Sequence, residues 1–486
     1  MPVNLRKRYI ISSMILCVAG LNGFAQNYHA IQGSAYAGGL GVHNNPASIV
    51  GTPLKWDVTL VGLQAKASTN IIKTRNYSLL SPPSKSEYYI KPGEFKRQAV
   101  YNTNLNVFNA RYSINRQQAF SFGANYRNYG RLKTENYYYH DSIADVGEFF
   151  LMNLSNRPIG MEFTNSGWME IYGSYAWTLI ERDDIRLNVG GTLKLMRGFA
   201  GGHARIRDGQ FTPLGGNPPL YSVDNAGVNY GYSANMDKWN NANSWTRNVK
   251  DLLIYTEGGA GIDLGAEFII KTQAVSDLFD DDDFFDYRWK IGVSLLDLGA
   301  NQYKYGKYSS TATGLINTLN DRTIEQKFDG SISNIESFND TLRTIAQQFG
   351  SLNGKFRVLH PTRLVLNADY FIQGNFFLNM EASVNLSGVL GRKYFYVRDL
   401  NLFSVTPRWE TRNWGVYLPL SFNTQKQFWI GGAVKAGPVL FGLQNLGFLF
   451  SKKSIPNGGF YLAITLKSWQ DTRNKKDERL DCPPGK

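Results

Sequence analysis

Phe376-Phe377-Leu378-Asn379-Met380-Glu381-Ala382-Ser383-Val384-Asn385-Leu386 alternates between apolar and polar side chains, with Phe377 the one exception. A strand sends successive side chains to opposite faces, so this stretch is greasy on one side and wet on the other. Its length matches the ~9–11 residues a tilted strand needs to cross the ~30 Å hydrocarbon core of a bilayer.

The pattern recurs in fourteen strand-like segments: 54–68, 101–114, 118–130, 166–180, 184–212, 253–272, 286–300, 358–372, 376–386, 401–411, 414–422, 427–436, 438–448 and 458–468. Their connections alternate in length. Short ones fall at Asn115-Arg116-Gln117, Glu181-Arg182-Asp183, Gln273 to Phe285, Gln373-Gly374-Asn375, Arg412-Asn413 and around Gly437. Long ones fall at 69–100, 131–165, 213–252, 301–357 and 387–400, and a tight link at 423–426 breaks the rule. Outer-membrane barrels have short periplasmic turns and long extracellular loops. An even strand number then places both ends of the chain in the periplasm. The fold expected is an all-β transmembrane antiparallel barrel of about 14 strands. A soluble β-sandwich competes poorly, because it would need a partner sheet for every apolar face and shorter strands.

Two faces follow. Ile254, Ala260, Ile262, Leu264 and Phe268 are expected to face lipid, as are Leu187, Leu193 and Leu195, Leu364 and Leu366, and Phe460, Leu462, Ile464 and Leu466. The polar positions expected to face the lumen are Lys194, Glu257, Asp263, Glu267, Lys290, Arg363, Asp369 and Glu381, with Tyr255 in the same phase. Buried charges must be paired or wet, so a water-filled or plugged lumen suits them and a dry apolar tunnel does not.

Arg6, Lys7 and Arg8, the apolar run Tyr9 to Ala19, and Gly23-Phe24-Ala25 read as a secretory signal peptide over 1–25, cut after about Ala25. Cys17 invites a lipoprotein reading, but Leu16 before it is too bulky. Residues 26–53 precede the first strand. Within them Gly38 to Leu54 is uncharged and turn-rich, centred on Asn44, Asn45, Pro46 and Ala47. This segment reads as a hatch inside the barrel, with a plain linker as the competitor. The barrel spans 54–468, and 469–486 is a charged, proline-ended tail expected to be disordered in the periplasm. Helical spacing is confined to gaps, at Ile335 to Phe349 and more weakly at Val146 to Leu154.

Composition bounds the chemistry. The 486 residues include 48 Gly, 28 Tyr, 29 Phe and 10 Trp with a net charge of +13, yet no dense basic run interleaved with aromatics, so nucleic acid is not an expected partner. Of the two cysteines only Cys482 lies beyond the signal, which leaves no internal disulfide and no cysteine metal cluster. The five histidines are scattered, and no nucleophile elbow or phosphate loop is present; Gly258-Gly259-Ala260-Gly261 lies in an alternating strand and is not a dinucleotide turn. The run Asp280 to Asp283 lacks calcium-loop spacing. The expectation is no enzyme, no cofactor and no metal.

Tyr36-Ala37-Gly38, Asn44-Asn45-Pro46-Ala47-Ser48-Ile49 and Lys55-Trp56-Asp57 resemble the start of a Bacteroidota outer-membrane barrel family known only as a domain of unknown function. Ile291 to Gly299 followed by Tyr303-Lys304-Tyr305-Gly306 is similar to that family's central strand. The Asn-Pro-Ala step also resembles the hatch of FadL-type and PorV-type barrels, which implies fourteen strands and a hatch. The FadL likeness implies a passive channel or transporter for a small, hydrophobic solute. The PorV likeness implies a non-transporting accessory subunit or scaffold of a secretion or assembly complex. The charged lumen departs from a fatty-acid transporter. The partners expected are outer-membrane lipid and lipopolysaccharide, a small hydrophobic solute, and other outer-membrane proteins.

Overall fold

The apolar/polar alternation resolves into fourteen antiparallel strands that close on themselves in a computed structural model. It describes residues 28–75, 87–271, 287–316, 319–328, 330, 332–391, 394–450 and 457–468. The expected signal peptide, the acidic run at 280–283 and the tail from 469 lie outside these residues.

In chain order the strands are β1 (Trp56–Thr69), β2 (Gly93–Asn115), β3 (Gln118–Tyr139), β4 (Ile159–Glu181), β5 (Ile185–Gly215), β6 (Glu257–Lys271) and β7 (Tyr287–Lys304). They continue as β8 (Lys355–Leu359 and Arg363–Gln373), β9 (Phe376–Asn385), β10 (Leu402–Glu410) and β11 (Trp414–Tyr417 and Leu420–Asn423). The last three are β12 (Phe428–Ile430 and Gly432–Ala436), β13 (Val439–Leu443) and β14 (Gly458–Lys467). Closure is the antiparallel pairing of β1 with β14, Asp57 opposite Lys467 through Ala67 opposite Gly458. Pro361 and Pro419 sit in the breaks of β8 and β11, where a missing N–H costs no ladder bond.

The outward face is the expected one. Leu193 and Leu195 are 67% and 65% exposed, while Thr192 before them and Lys194 between them are buried. Every such apolar side chain would be costly in water, by ~25 cal/mol per Å2, and none in hydrocarbon. Near the short-turn rim Trp56, Tyr112, Phe120 and Tyr175 face out and are paired in one row across β1 to β4. Such a row marks the boundary between hydrocarbon and water.

Several expectations need correction. Ile254 and Tyr255 do not belong to β6: helix α2 runs Trp245–Ile254, capped by Ser244, and the strand starts at Glu257. The long connections at 213–252 and 301–357 are not open loops. Strand Leu220–Tyr232 pairs with the top of β5, Ser310–Leu315 pairs with it, and Ala346–Ser351 pairs next. Helices α1 (Val146–Met152), α3 (Asp321–Phe328) and α4 (Ile335–Ile345) pack over this sheet around Val223, Tyr230, Leu319, Leu342 and Ile345. α4 therefore stops before Phe349, because Ala346 turns extended to join a strand edge. The segment read as strand 438–448 pairs only to Leu443.

Candidate functional site

Residues 28–54 lie inside the barrel. They contain no Asp, Glu, Lys or Arg, and they fold as three 3-10 turns, His29–Ile31, Gly38–His43 and Pro46–Ile49. The last turn follows from its sequence. Pro46 forces Asn45 into extended backbone (φ −155°), Pro46 itself suits the first position of a helical turn, and the Asn45 Oδ1 accepts from the Ala47 N–H at 3.0 Å.

Three glycines on adjacent strands make the seat for this turn. A Cβ added at Gly190 would lie 2.7 Å from the Pro46 carbonyl carbon; at Gly265, 2.0 Å from Asn45 Oδ1; at Gly292, 2.9 Å from Asn45 Nδ2. Gly190 and Gly265 face each other across β5 and β6. Asn45 Nδ2 donates to the Ala266 carbonyl at 3.0 Å, and Ser294 Oγ donates to the Asn44 carbonyl.

Wall charges hold the rest of the segment. Arg111 Nε bonds Asp57 Oδ2 at 2.6 Å, while its two terminal nitrogens donate to the Ile49 and Leu54 carbonyls. Asp57 Oδ1 accepts from the Gly39 N–H at 2.7 Å, and Gly38 before it has φ +57°, a conformation most residues avoid. Arg408 grips Asp369 through two bonds of 2.6 and 2.8 Å and donates to the Gln32 carbonyl at 3.1 Å. Ser34 Oγ donates to Glu410 Oε1 at 2.6 Å. One cavity between segment and wall, of about 30 Å3, is bordered by Glu267, Lys290, Asn367 and Glu381.

Above the segment sits a buried ion cluster. Arg127 holds Asp297 with both terminal nitrogens and approaches Glu170 at 3.5 Å; Lys194 bridges Asp297 and Asp263 at 2.7 Å each. A bulge where β7 slips against β6 between Leu295 and Leu298 turns Asp297 (φ +58°) inward, against the alternation. Next comes an aromatic layer, in which Trp168 stacks between Tyr129 and His360, at 5.5 and 4.9 Å, and Tyr303 packs on Phe356.

A second segment enters from the long-loop side. The connection 387–400, expected as an extracellular loop, dips inward in its described part from 394 onward: Val397, Asp399 and Leu400 are buried. Asp399 meets Lys66 at 2.6 Å, Asn102 at 2.8 Å and Arg363 Nη1 at 3.1 Å. Arg363 Nη2 also donates to the His43 carbonyl at 3.2 Å, so one guanidinium touches both lumenal segments.

Of the residues singled out from sequence, Lys194 and Asp263 pair directly, and Arg363, Asp369, Glu267, Lys290 and Glu381 all line the lumen. Glu267 accepts from Asn188, and Lys290 lies over the Tyr287 ring. Glu257 does not join them. It stands in the right phase but at the rim, in a part-exposed pair with Lys355 at 2.7 Å, because β6 begins there. Asp57, Lys66, Arg111, Arg127, Glu170, Asp297, Asp399, Arg408 and Glu410 were missed.

The profile of a family of unknown function, DUF5723, matches residues 46–443, from the Pro46 turn to the end of β13. The chain belongs to this family. It is a fourteen-stranded antiparallel β-barrel of the DUF5723 family. No curated protein matches it. Among solved structures it is similar to the Ralstonia pickettii toluene transporter TbuX, at 10% identity and TM-score 0.40, over 92% of this chain and 98% of that one. A Pseudomonas aeruginosa FadL homologue gives 10% identity and TM-score 0.41 over 91% and 99%. A TodX deltaS2S3 mutant, a monoaromatic hydrocarbon channel, gives 9% identity and TM-score 0.40 over 92% and 99%. Among the described residues of this DUF5723 barrel, no group of three or more His, Cys, Asp or Glu side chains could hold a metal ion.

Proposed function

We propose that this DUF5723 barrel is a gated outer-membrane channel for a small solute, held shut by residues 28–54 acting as a hatch and by the inward segment 394–400. In this reading the short-turn rim is periplasmic. The observation that carries the proposal is how the plug is held. An uncharged segment sits on a three-glycine seat and is gripped by wall side chains bonded to its backbone. The segment also buries Ile31, Leu40, Ile49 and Tyr36 in clusters with the wall residues Tyr417, Tyr461, Tyr172 and Phe377. Beside these contacts the lumen keeps Arg111, Arg363 and Arg408 on wall strands, where water could solvate them once the segment leaves.

The test is conductance and liposome swelling with three forms: the full chain, a deletion of residues 26–53, and that deletion combined with Asp399→Ala. The full chain should be silent, and the combined form should conduct at least about tenfold above it. Silence from all three would overturn the channel. A scaffold reading draws on a different feature, the cap of strands and helices with its own apolar core around Leu342 and Ile345. Stoichiometric recovery of outer-membrane partners, lost when 220–232 and 310–351 are replaced by short turns, with no conductance from any form, would establish that reading instead.

A further inference from the structure

Helix α2 is built the wrong way round for water. Its buried residue is Asn248, while Trp245, at 71% exposed, Leu253 and Ile254 point outward. A surface helix normally does the reverse, and α4 in the cap does so, burying Leu342 and Ile345. The inversion is held in place by buried amides. Asn248 Nδ2 donates to the Asn240 carbonyl at 2.8 Å, and its Oδ1 accepts from the Asn240 N–H at 3.1 Å. Asn235 Nδ2 donates to the Phe199 and Leu252 carbonyls at 2.7 and 2.8 Å, which ties the helix to β5. On the exposed side Trp239 and Trp245 meet edge to face at 5.5 Å, and Lys238 Nζ lies 5.2 Å from the ring of exposed Tyr255.

The height of this patch on the barrel says what it meets. On β6 the outward positions Ile270, Phe268, Ala266, Leu264, Ile262 and Ala260 are all apolar. At ~3.3 Å per residue and ~40° of tilt that run rises ~25 Å, the height of a barrel's apolar band. The exposed end of α2 stands just beyond it, past Thr256. On β5 the outward Leu193 and Leu195 give way to exposed Arg197, opposite Gly258, and Arg197 Nε donates to Thr256 Oγ1 at 2.9 Å. The lipid face thus ends at α2, and cations begin there: Arg197, Lys238, Arg247 and Lys250, none of them ion-paired among the described residues. Asp237 and Asp251 oppose these four, and Glu257 is taken by Lys355, so the patch keeps an excess of positive charge. Rings and cations at the edge of a lipid face are the composition of a helix that lies in a membrane interface.

We propose that α2 and the turn before it lie in the outer-leaflet interface and bind an anionic phosphorylated glycolipid, of the lipid A kind. Trp239, Trp245, Leu253, Ile254 and Tyr255 enter the acyl boundary, and Arg247 and Lys250 meet the head-group phosphates. The inference goes beyond the channel reading and takes from it only the orientation, with the long-loop rim on the outer side.

Native mass spectrometry of the purified full chain in neutral detergent tests it, with diphosphoryl lipid A and zwitterionic phosphatidylcholine titrated in parallel. One lipid A per chain is expected at concentrations where phosphatidylcholine is not retained, with affinity falling as ammonium acetate rises. Arg247→Gln/Lys250→Gln should weaken lipid A by about tenfold or more, as for two cations withdrawn from an anionic surface. Trp245→Ser/Leu253→Ser should weaken it too while keeping the salt dependence. All four side chains are exposed, and heat-modifiable migration on gels confirms that each variant still forms the barrel. Equal retention of the two lipids by the wild-type chain would overturn the anionic head group. No lipid A bound, or equal affinity in wild type and both variants, would overturn the surface itself. The readout is independent of conductance: lipid A held by a chain that never conducts would sink the channel and spare this surface.

Discussion

The two segments that fill the lumen are built on opposite principles. Residues 28–54 bring no formal charge and take hydrogen bonds from wall side chains onto their backbone; residues 394–401 bring Asp399 and pair it with Lys66 and Arg363. Pulling the first segment out strands none of its own charges, and the wall cations it leaves behind meet water. Pulling the second out separates a buried ion triad. On the channel reading proposed above, the difference points to residues 28–54 as the piece that leaves.

The largest expected effect therefore falls on the inward loop. Asp399→Ala leaves Lys66 and Arg363 buried without their shared carboxylate, and breaking a buried pair this way costs about 3–5 kcal/mol. Reversible urea unfolding in lipid vesicles measures it. A loss below about 1 kcal/mol would mean that the loop is held by its apolar residues, and the contrast between the two segments would collapse.

Acid should act on the other segment. Burial, with Lys66 adding to it and Asp399 opposing, holds His29 down to about 3; burial, with Lys194 adding and Glu170 opposing, holds His43 down to about 3. Both are neutral when seated and would take up protons near 6.5 once released. The released state thus binds more protons between about pH 6.5 and 3, so seating is fully favoured above 6.5 and weakens as pH falls. The loss is about 1.4 kcal/mol per unit for each histidine, or nearly 3 kcal/mol for the two at pH 5.5. Protease cleavage within 28–54, followed from pH 7.5 to 5, should accelerate in the native chain. In His29→Gln/His43→Gln the acceleration should vanish, and its persistence there would place the acid sensitivity elsewhere.

Next in size is the seat. Gly265→Val puts a side chain where Asn45 Oδ1 lies, and such overpacking costs about 1–3 kcal/mol. The strands themselves have no reason to suffer, since valine suits a sheet. The expected signature is faster proteolysis of 28–54 with an unchanged barrel unfolding midpoint, a split that Asp399→Ala should not show.

Much of this was legible. All fourteen strands and the expected lipid faces, Ile254 excepted, came from period-two alternation and its interruption. The lumenal charges were harder, and bulges explain why. In β2 Asn102, Asn104 and Asn106 point inward, the register slips between Asn106 and Phe108, and from there Asn109, Arg111 and Ser113 point inward instead. β1 slips between Thr59 and Val61, putting Asp57 and Lys66 out of phase, and β7 slips just before Asp297. A fixed period assigns every residue past a bulge to the wrong face. Arg127 had a clean signal in Asn125-Arg127-Tyr129 and could have been found. Asp399 had none, because a loop has no period to violate.

The smallest effect probes the motif that the sequence made most conspicuous. Asn45 caps the Pro46 turn through Oδ1 and donates to the Ala266 carbonyl through Nδ2, so Asn45→Ala removes both. Loss of such a cap costs about 1 kcal/mol. That is roughly a fivefold rise in the unseated fraction, readable in the same protease assay and too small to move barrel unfolding. Asn45→Asp keeps the cap and loses only the bond to Ala266, but it places a carboxylate beside Glu267 across the glycine seat. If the segment owes its mobility to carrying no charge, the aspartate must unseat it more than alanine does. The reverse order would show that the cap, and not the neutrality, is what keeps the segment seated.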